Sequence, residues 1–200
     1  MSLTVLIDNG HGKDAKGKRS PDGSLLEWEW TREVAALVDK GLKAKGINSI
    51  LLVPETQDIS LIERCRRANI FCQKYGKINV LLLSLHLNAA GNGSEWKDAT
   101  GFSSWVAKVA SQKSKDFAAM CTESAHKRGL KGNRCVPNCK YWSANFSIIT
   151  NTACPAVLTE NCFMDNKQEC EWLKKAENKQ LIADLHIEAI MNYINKYNLR

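Results

Sequence analysis

Short apolar runs alternate along the chain with longer stretches in which apolar residues recur every three or four positions. The first pattern predicts buried β-strands, and the second predicts amphipathic α-helices. The predicted strands cover residues 3–8, 48–53, 78–85, 101–109, 145–151 and 156–159. The predicted helices cover residues 25–45, 60–75, 111–128, 165–176 and 178–198. Strands that alternate with such helices predict an α/β fold, with a twisted, mainly parallel sheet of about six strands flanked by helices.

Nothing along the chain marks a domain boundary. The 4 prolines are scattered, and the chain has neither an internal repeat nor a low-complexity linker. We therefore expect one domain over residues 1–200. The longest apolar runs, such as residues 80–83, are far shorter than the roughly 20 residues that a membrane-spanning helix needs, so no membrane span is expected.

Charge and cysteine content narrow the class of protein further. The chain has 28 Lys and Arg residues against 21 Asp and Glu residues, a net charge of +7. Such a charge either attracts an anionic partner, such as nucleic acid, a membrane surface or an acidic cell-wall polymer, or only aids solubility. The 8 cysteines do not suggest a disulfide framework, and residues 1–10 lack the features of a signal peptide. We therefore expect synthesis in the cytoplasm with reduced thiols.

Side chains with acid–base or ligand chemistry follow three of the predicted strands. His11 follows the first strand, His86 ends the third and Glu160 follows the last. Ligands bind beyond the carboxyl ends of parallel strands, so we expect these side chains in one crevice. Two imidazoles and one carboxylate are a common ligand set of catalytic zinc. A further carboxylate must then move the proton, and Glu27 and Glu160 are available for the two roles.

Four segments stand out together by their order and spacing: VLIDNGHGKDAKG, SLLEWEWTREVA, LLLSLHLNA and CPAVLTENCFMDN. They resemble the zinc-dependent N-acetylmuramoyl-L-alanine amidases, the catalytic domains of many autolysins and phage lysins. Any one of these motifs alone is weak, but four in the right order are a strong signal. The resemblance covers about residues 4–190, which is nearly the whole chain.

The resemblance implies a phosphorylase/hydrolase-like α/β fold, a bound Zn²⁺ ion and peptidoglycan as the substrate. His11, Glu27 and His86 would hold the zinc ion, and Glu160 would be the catalytic carboxylate. The bond cut would be the amide between the lactyl group of muramic acid and the first L-alanine of the stem peptide. We expect no nucleic-acid partner, and we expect the protein to reach the wall by lysin-like release.

Several residue assignments stay open at this point. Glu29 competes with Glu27 as the third metal ligand, since residues two apart face different sides of a helix. Asn88, just after the third predicted strand, is a candidate substrate-binding residue. His126 and His186 lie in helical segments rich in charge, so we expect them at the solvated surface.

Other chemistries are also open. A second zinc site is suggested by a looser cluster, comprising Cys121, His126, Cys135 and Cys139, although a paired CxxC is absent. Cys154 or Cys162 would be the nucleophile of a Cys/His hydrolase, unless both are merely small buried side chains. At the level of function, the alternatives are a zinc peptidase or deacylase acting on a free peptide, and a non-catalytic basic module that binds the wall or nucleic acid.

Overall fold

The structure is a computed structural model that describes residues 3–199. Six strands within these residues form one sheet: β1 (Thr4–Asn9), β2 (Asn48–Leu51), β3 (Val80–Asn88), β4 (Phe102–Val106), β5 (Trp142–Ser143) and β6 (Ala156–Phe163). They lie in the order β2-β1-β3-β6-β4-β5. β1, β2, β3 and β6 run parallel, whereas β4 is antiparallel to β6 and carries β5 on its other side. The predicted six-stranded, mainly parallel sheet is confirmed.

Six α-helices within the same residues cover both faces of the sheet: α1 (Glu27–Ala44), α2 (Leu61–Tyr75), α3 (Gln112–Lys127), α4 (Ser147–Thr150), α5 (Lys167–Leu173) and α6 (Ala176–Tyr197). Successive strand residues point to opposite faces, so each central strand supplies two hydrophobic cores. In β1, Val5 and Ile7 pack with α1, α3 and α6, whereas Leu6 packs with α2 and α4. No helix in the described part of the chain has both the length and the apolar character to span a membrane.

The segment 145–151 was predicted to be a strand, and this prediction is wrong. The segment contains α4, a single helical turn, and the strand in this region is β5. Ile148 and Ile149 favoured a strand because they are β-branched, yet both are buried in the same core beside α2. Neighbouring strand residues point to opposite faces, so burying both on one face requires a turn of helix instead.

The carboxyl ends of β1, β3 and β6 lie side by side at one edge of the sheet. β3 continues past its predicted end at residue 85 as far as Asn88, because it stays paired with β6 up to Phe163. This pairing is irregular between His86 and Asn88, where the register shifts. A bulge of this kind re-aims the side chains at the end of a strand.

Candidate metal centre

His11 lies in the turn that follows β1, where the backbone is unusual. Its φ angle is 57°, in the left-handed region that residues other than glycine rarely adopt. Its carbonyl accepts hydrogen bonds from Arg32 Nη1 at 2.9 Å and from Arg64 Nη2 at 3.3 Å. A Cβ on the preceding Gly10 would lie 2.5 Å from the His86 ring, so only glycine leaves room there. The turn thus brings two imidazoles together, with 5.1 Å between ring centroids.

Glu27 joins these two imidazoles from the first turn of α1, where it is only 1% exposed. Its Oε1 accepts the Leu87 N–H at 3.0 Å and lies 3.0 Å from His86 Nδ1. Its Oε2 lies 3.6 Å from His11 Nε2. Glu29 is exposed instead, so Glu27 is the one of the two that faces the site.

The three groups shift one another's proton affinities. Burial by itself raises the pKa of the Glu27 carboxyl, but the hydrogen bond and charge of His86, helped by His11, bring that pKa below its ordinary value. Burial lowers the pKa of His86, and the bond to Glu27 overcomes this and raises it. Burial lowers the pKa of His11 to about 4, so His11 is a neutral imidazole at pH 7, the form that binds metals.

The geometry and chemistry of these three side chains fit a zinc ion. One donor atom from each of His11, Glu27 and His86 lies within 4.8 Å of the other two. In a tetrahedral zinc site the ligand atoms are about 3.3–3.6 Å apart, so small side-chain adjustments suffice. Within residues 3–199, no other group of three or more His, Cys, Asp or Glu side chains converges in this way.

Glu160 is directly opposite His86 in the pairing of β6 with β3. Its Oε2 is shielded from solvent and has no hydrogen-bond partner among the described residues. Burial raises the pKa of this carboxyl to about 7; the Glu27 charge also raises it, while His86, Lys18 and Arg134 lower it. A carboxyl group with a pKa near neutrality is suited both to accept and to donate a proton.

A buried ion pair, which the sequence analysis did not anticipate, supports the turn that carries His11. Arg64 is 3% exposed and donates to Asp8 Oδ1 at 2.8 Å and to the Asn9 carbonyl at 2.6 Å. Asp8 Oδ2 accepts the Ser84 hydroxyl at 2.6 Å. The network joins α2 to the ends of β1 and β3. The signal in the sequence was an aspartate in an otherwise apolar strand, since a buried charge needs a partner.

His186 was predicted to be solvated, and this prediction is wrong because the residue is buried on the inner face of α6. Its Nε2 lies 2.9 Å from Asn161 Oδ1, and Asn161 Nδ2 donates to the His86 carbonyl at 2.9 Å. The signal in the sequence was its spacing, because Ile182 and Ile190, one helical turn away on either side, are also buried.

Two other polar residues that the sequence singled out, Asn88 and His126, are half-buried. Asn88 is half-buried, and its Oδ1 accepts the N–H of Ala89 at 2.9 Å, so its role in substrate binding stays a prediction. His126, expected at the solvated surface, is half-buried, and its Nε2 is shielded from solvent.

The cysteines do not form an alternative centre. Cys121 is buried, whereas Cys135 and Cys139 are exposed, so the cluster considered for a second zinc ion is divided. Cys154 and Cys162 are buried core residues. Burial raises the pKa of the Cys162 thiol well above its ordinary value, which is the opposite of what a thiolate nucleophile needs.

Comparison with known proteins gives consistent matches over almost the whole chain. A family model described as N-acetylmuramoyl-L-alanine amidase matches residues 5–192. The endolysin of Bacillus phage SPP1 is 28% identical over 198 residues, covering 98% of this chain and 67% of that protein. The N-acetylmuramoyl-L-alanine amidase CwlM of Bacillus licheniformis is 29% identical over 201 residues, covering 96% of this chain and 69% of that protein.

Solved structures share the fold. The N-acetylmuramoyl-L-alanine amidase of Clostridium difficile 630 has a TM-score of 0.83 at 24% identity, with 97% of each chain covered. The catalytic domain of CwlV from Bacillus (Paenibacillus) polymyxa has a TM-score of 0.79 at 22% identity, covering 96% of this chain and 98% of that one. With a family match that spans nearly the whole chain, the protein belongs to the N-acetylmuramoyl-L-alanine amidase family and is a peptidoglycan amidase.

Proposed function

We propose that the protein is a zinc-dependent hydrolase that cuts the amide bond between N-acetylmuramic acid and the first L-alanine of the peptidoglycan stem peptide. The observation that carries this proposal is the convergence of His11, Glu27 and His86 beside Glu160, whose shielded Oε2 has no hydrogen-bond partner among the described residues. Membership of the amidase family supports the bond and the substrate.

His11, Glu27 and His86 would hold the metal ion. A divalent ion such as zinc supplies Lewis acidity, which polarises an amide carbonyl and makes water a stronger nucleophile at neutral pH. The chain's own contribution is to fix the donors. The Leu87 N–H holds one oxygen of Glu27, and the Arg32 and Arg64 guanidinium groups hold the carbonyl of His11.

Glu160 would carry out the proton transfers. As a carboxylate it accepts a proton from the attacking water, and the protonated carboxyl then delivers that proton to the amine that leaves with the peptide. Its pKa of about 7, set mainly by burial, places both states within reach at neutral pH. The shielded Oε2 has no hydrogen bond within residues 3–199 that would have to be broken first.

The proposal is tested by digesting purified peptidoglycan with and without a chelator and analysing the products by mass spectrometry. We expect free stem peptides with an N-terminal alanine, and we expect the chelator to abolish them. Glu160→Gln is expected to lower turnover by about 10²–10⁴-fold while binding zinc like the wild type. Retained turnover in this variant would contradict the role given to Glu160.

Two added measurements separate the alternative functions: digestion of free peptides that lack muramic acid, and determination of the metal bound to the purified protein. Cleavage of free peptides that lack muramic acid would favour a zinc peptidase or deacylase. An absence of both turnover and bound metal would favour a non-catalytic module, whose binding to an anionic polymer would depend steeply on salt.

We further propose that the protein acts on the wall as a lysin, released when the membrane is breached. Similarity to the SPP1 endolysin over 98% of this chain supports the proposal. In fractionated producing cells, the protein should stay with the cell contents until lysis. Its appearance in the medium of intact cells would contradict this proposal.

A further inference from the structure

Arg134 is a cation beside the catalytic carboxylate that the mechanism above does not use. It lies in the connection between α3 and β5 and is half-buried. Its charge acts on the Glu160 carboxyl, so the guanidinium lies within electrostatic range of the reaction centre. The kind of group that Arg134 can bind there follows from the contacts that position its guanidinium and from the N–H donors that those contacts leave free.

Two aromatic rings hold the guanidinium group. Its Cζ is 5.4 Å from the centroid of the Trp142 ring and 5.7 Å from that of the Phe163 ring. Trp142 packs in turn on Trp105, with 5.8 Å between centroids. Cation–π contacts of this kind restrict the side chain without using its N–H donors.

The backbone next to Arg134 is also fixed. Asn133 Nδ2 donates to the Asp98 carbonyl at 2.7 Å, and the Asn133 N–H donates to Thr100 Oγ1 at 3.0 Å. Gly132 has a φ of +71°, and a Cβ there would lie 2.1 Å from the Thr100 carbonyl oxygen. The loop that presents Arg134 is therefore built by specific contacts.

Arg134 has no hydrogen bond or ion pair with any residue between 3 and 199, although other arginines such as Arg64 and Arg67 are paired with carboxylates. An arginine held on aromatic faces keeps its forked N–H donors free, and this fork matches the two oxygens of a carboxylate. The chemistry at this position is thus that of a carboxylate receptor.

The sheet order indicates which half of the substrate reaches Arg134. β6 and β4 separate β3 from β5, so Trp142 in β5 lies on the side of Glu160 away from β1 and β3, the strands that lead to the two histidines of the metal site. Phe163 follows Glu160 within β6 itself. Glu160 would protonate the amine that leaves with the peptide, so the peptide starts at Glu160. It can then continue towards β5, where Arg134 lies.

We propose that Arg134 binds a carboxylate on the peptide side of the scissile amide and thereby determines specificity for acidic stem peptides. This inference rests on the proposed amidase function. Arg134 would hold the substrate in place and leave the metal ligands and Glu160 unchanged. Its loss should therefore raise KM much more than it lowers kcat.

The test compares two soluble muramyl peptides, one with free peptide carboxylates and one with the same carboxylates converted to amides. Arg134→Gln is expected to raise KM for the free acid by about 10- to 100-fold, with kcat nearly unchanged, and to have little effect on the amide. Arg134→Lys keeps the charge but not the fork, so an intermediate KM is expected. Lys131→Gln removes the same charge from an exposed position in the same loop, and it should behave like the wild type.

Equal losses on the acid and the amide, or no change on either, would overturn the role of Arg134 while leaving wild-type turnover as support for the amidase. If the wild type cleaves neither compound, the amidase proposal fails. The role of Arg134 is then tested separately, by measuring with calorimetry how the uncleaved peptides bind to Glu160→Gln. Weaker binding of the acid alone when Arg134→Gln is added would uphold the carboxylate receptor. Equal binding of the acid with and without Arg134→Gln would overturn it.

Discussion

At the scale of single residues, the candidate metal site depends on which of two carboxylates in the first turn of α1 faces the imidazoles. Glu27 and Glu29 both lie in that first turn, but Glu27 is buried against two imidazoles and Glu29 is exposed. The two residues therefore provide a variant and its matched control, since replacing either glutamate by glutamine removes one negative charge and hardly changes the size of the side chain.

Glu27→Gln is expected to weaken zinc binding by at least about 100-fold, because the variant loses the anionic donor of the ligand set. Glu29→Gln should bind zinc like the wild type. Isothermal titration calorimetry, or competition with a chelator of known affinity, measures both constants. Equal losses in the two variants would show that the carboxylates act only through the general field of the helix N-terminus.

His186 is a second residue whose environment has a measurable consequence. Burial lowers its pKa in the folded protein to about 3, from 6.5 in the unfolded chain. Between these values the unfolded chain binds a proton that the folded protein excludes, so stability falls as the pH drops through this window. The slope from this one group is at most about 1.4 kcal/mol per pH unit.

His186→Gln should remove this slope, because glutamine can donate towards Asn161 but does not titrate. In urea unfolding between about pH 8 and about pH 5, the wild type should lose about 2 kcal/mol more of its unfolding free energy than the variant loses. Measurements on metal-free protein keep zinc release out of the comparison. Parallel pH curves for the two proteins would contradict the assignment of a neutral buried imidazole.

At the scale of elements, the site depends on how closely two loops pack at the carboxyl edge of the sheet. The loop after β1 and the loop after β2 are joined by hydrogen bonds from Lys13 N to the Thr56 carbonyl at 2.7 Å and from Asp58 N to Asp14 Oδ1 at 2.6 Å. Gly12 is buried between them, and a Cβ there would lie 2.0 Å from Asp58 N. The contact is with backbone, which cannot rotate away as a side chain can.

Gly12→Ala should therefore displace the turn that carries His11 and weaken zinc binding by about 10-fold or more. Gly17→Ala is the matched control in the same loop, because a Cβ at Gly17 has no neighbour within 4 Å. Its φ of +74° makes alanine unfavourable by about 1 kcal/mol, so stability should fall slightly while zinc affinity stays unchanged. Similar zinc affinities in both variants would show that the close contact of the loops does not position His11.

At the scale of the whole molecule, the net charge of +7 has a local concentration beside the site. Four exposed cations lie in the loop after His11: Lys13, Lys16, Lys18 and Arg19. A positive surface next to a reaction centre raises the local concentration of an anionic polymer and speeds its capture.

Digestion of intact, anionic cell wall should consequently slow when the salt concentration rises from about 50 to about 500 mM, since salt screens this attraction. The double variant Lys13→Gln, Lys16→Gln should show a weaker salt dependence. Lys77→Gln with Lys108→Gln removes the same charge at the opposite edge of the sheet, before β3 and after β4, and should leave the dependence unchanged. If both double variants weakened the salt dependence equally, net charge alone, and not the position of these lysines, would explain it.

The local hydrophobic pattern was sufficient to predict the strands that are buried along most of their length. Residues of β1 and β3 are mostly apolar on both faces, which is typical of a strand inside a covered parallel sheet. The polar residues at the ends of such strands are then expected to meet at one edge. The order and spacing of the four motifs indicated the family. These inferences need only the neighbours of a residue along the chain.

Contacts between distant segments decided the rest. The sequence favoured Glu27 but left Glu29 open as its competitor, and the rotation of α1 against the sheet separated them. The burial of Ile148 and Ile149 on one core made α4 a helical turn, and the packing of α6 enclosed His186. The free guanidinium of Arg134 exists only because β5 and β6 place two rings around it. The sequence by itself determined the mainly parallel sheet, the edge at which its central strands end and the family. Tertiary packing decided which polar side chains are buried, paired or left free, because burial and pairing depend on residues far away in the chain.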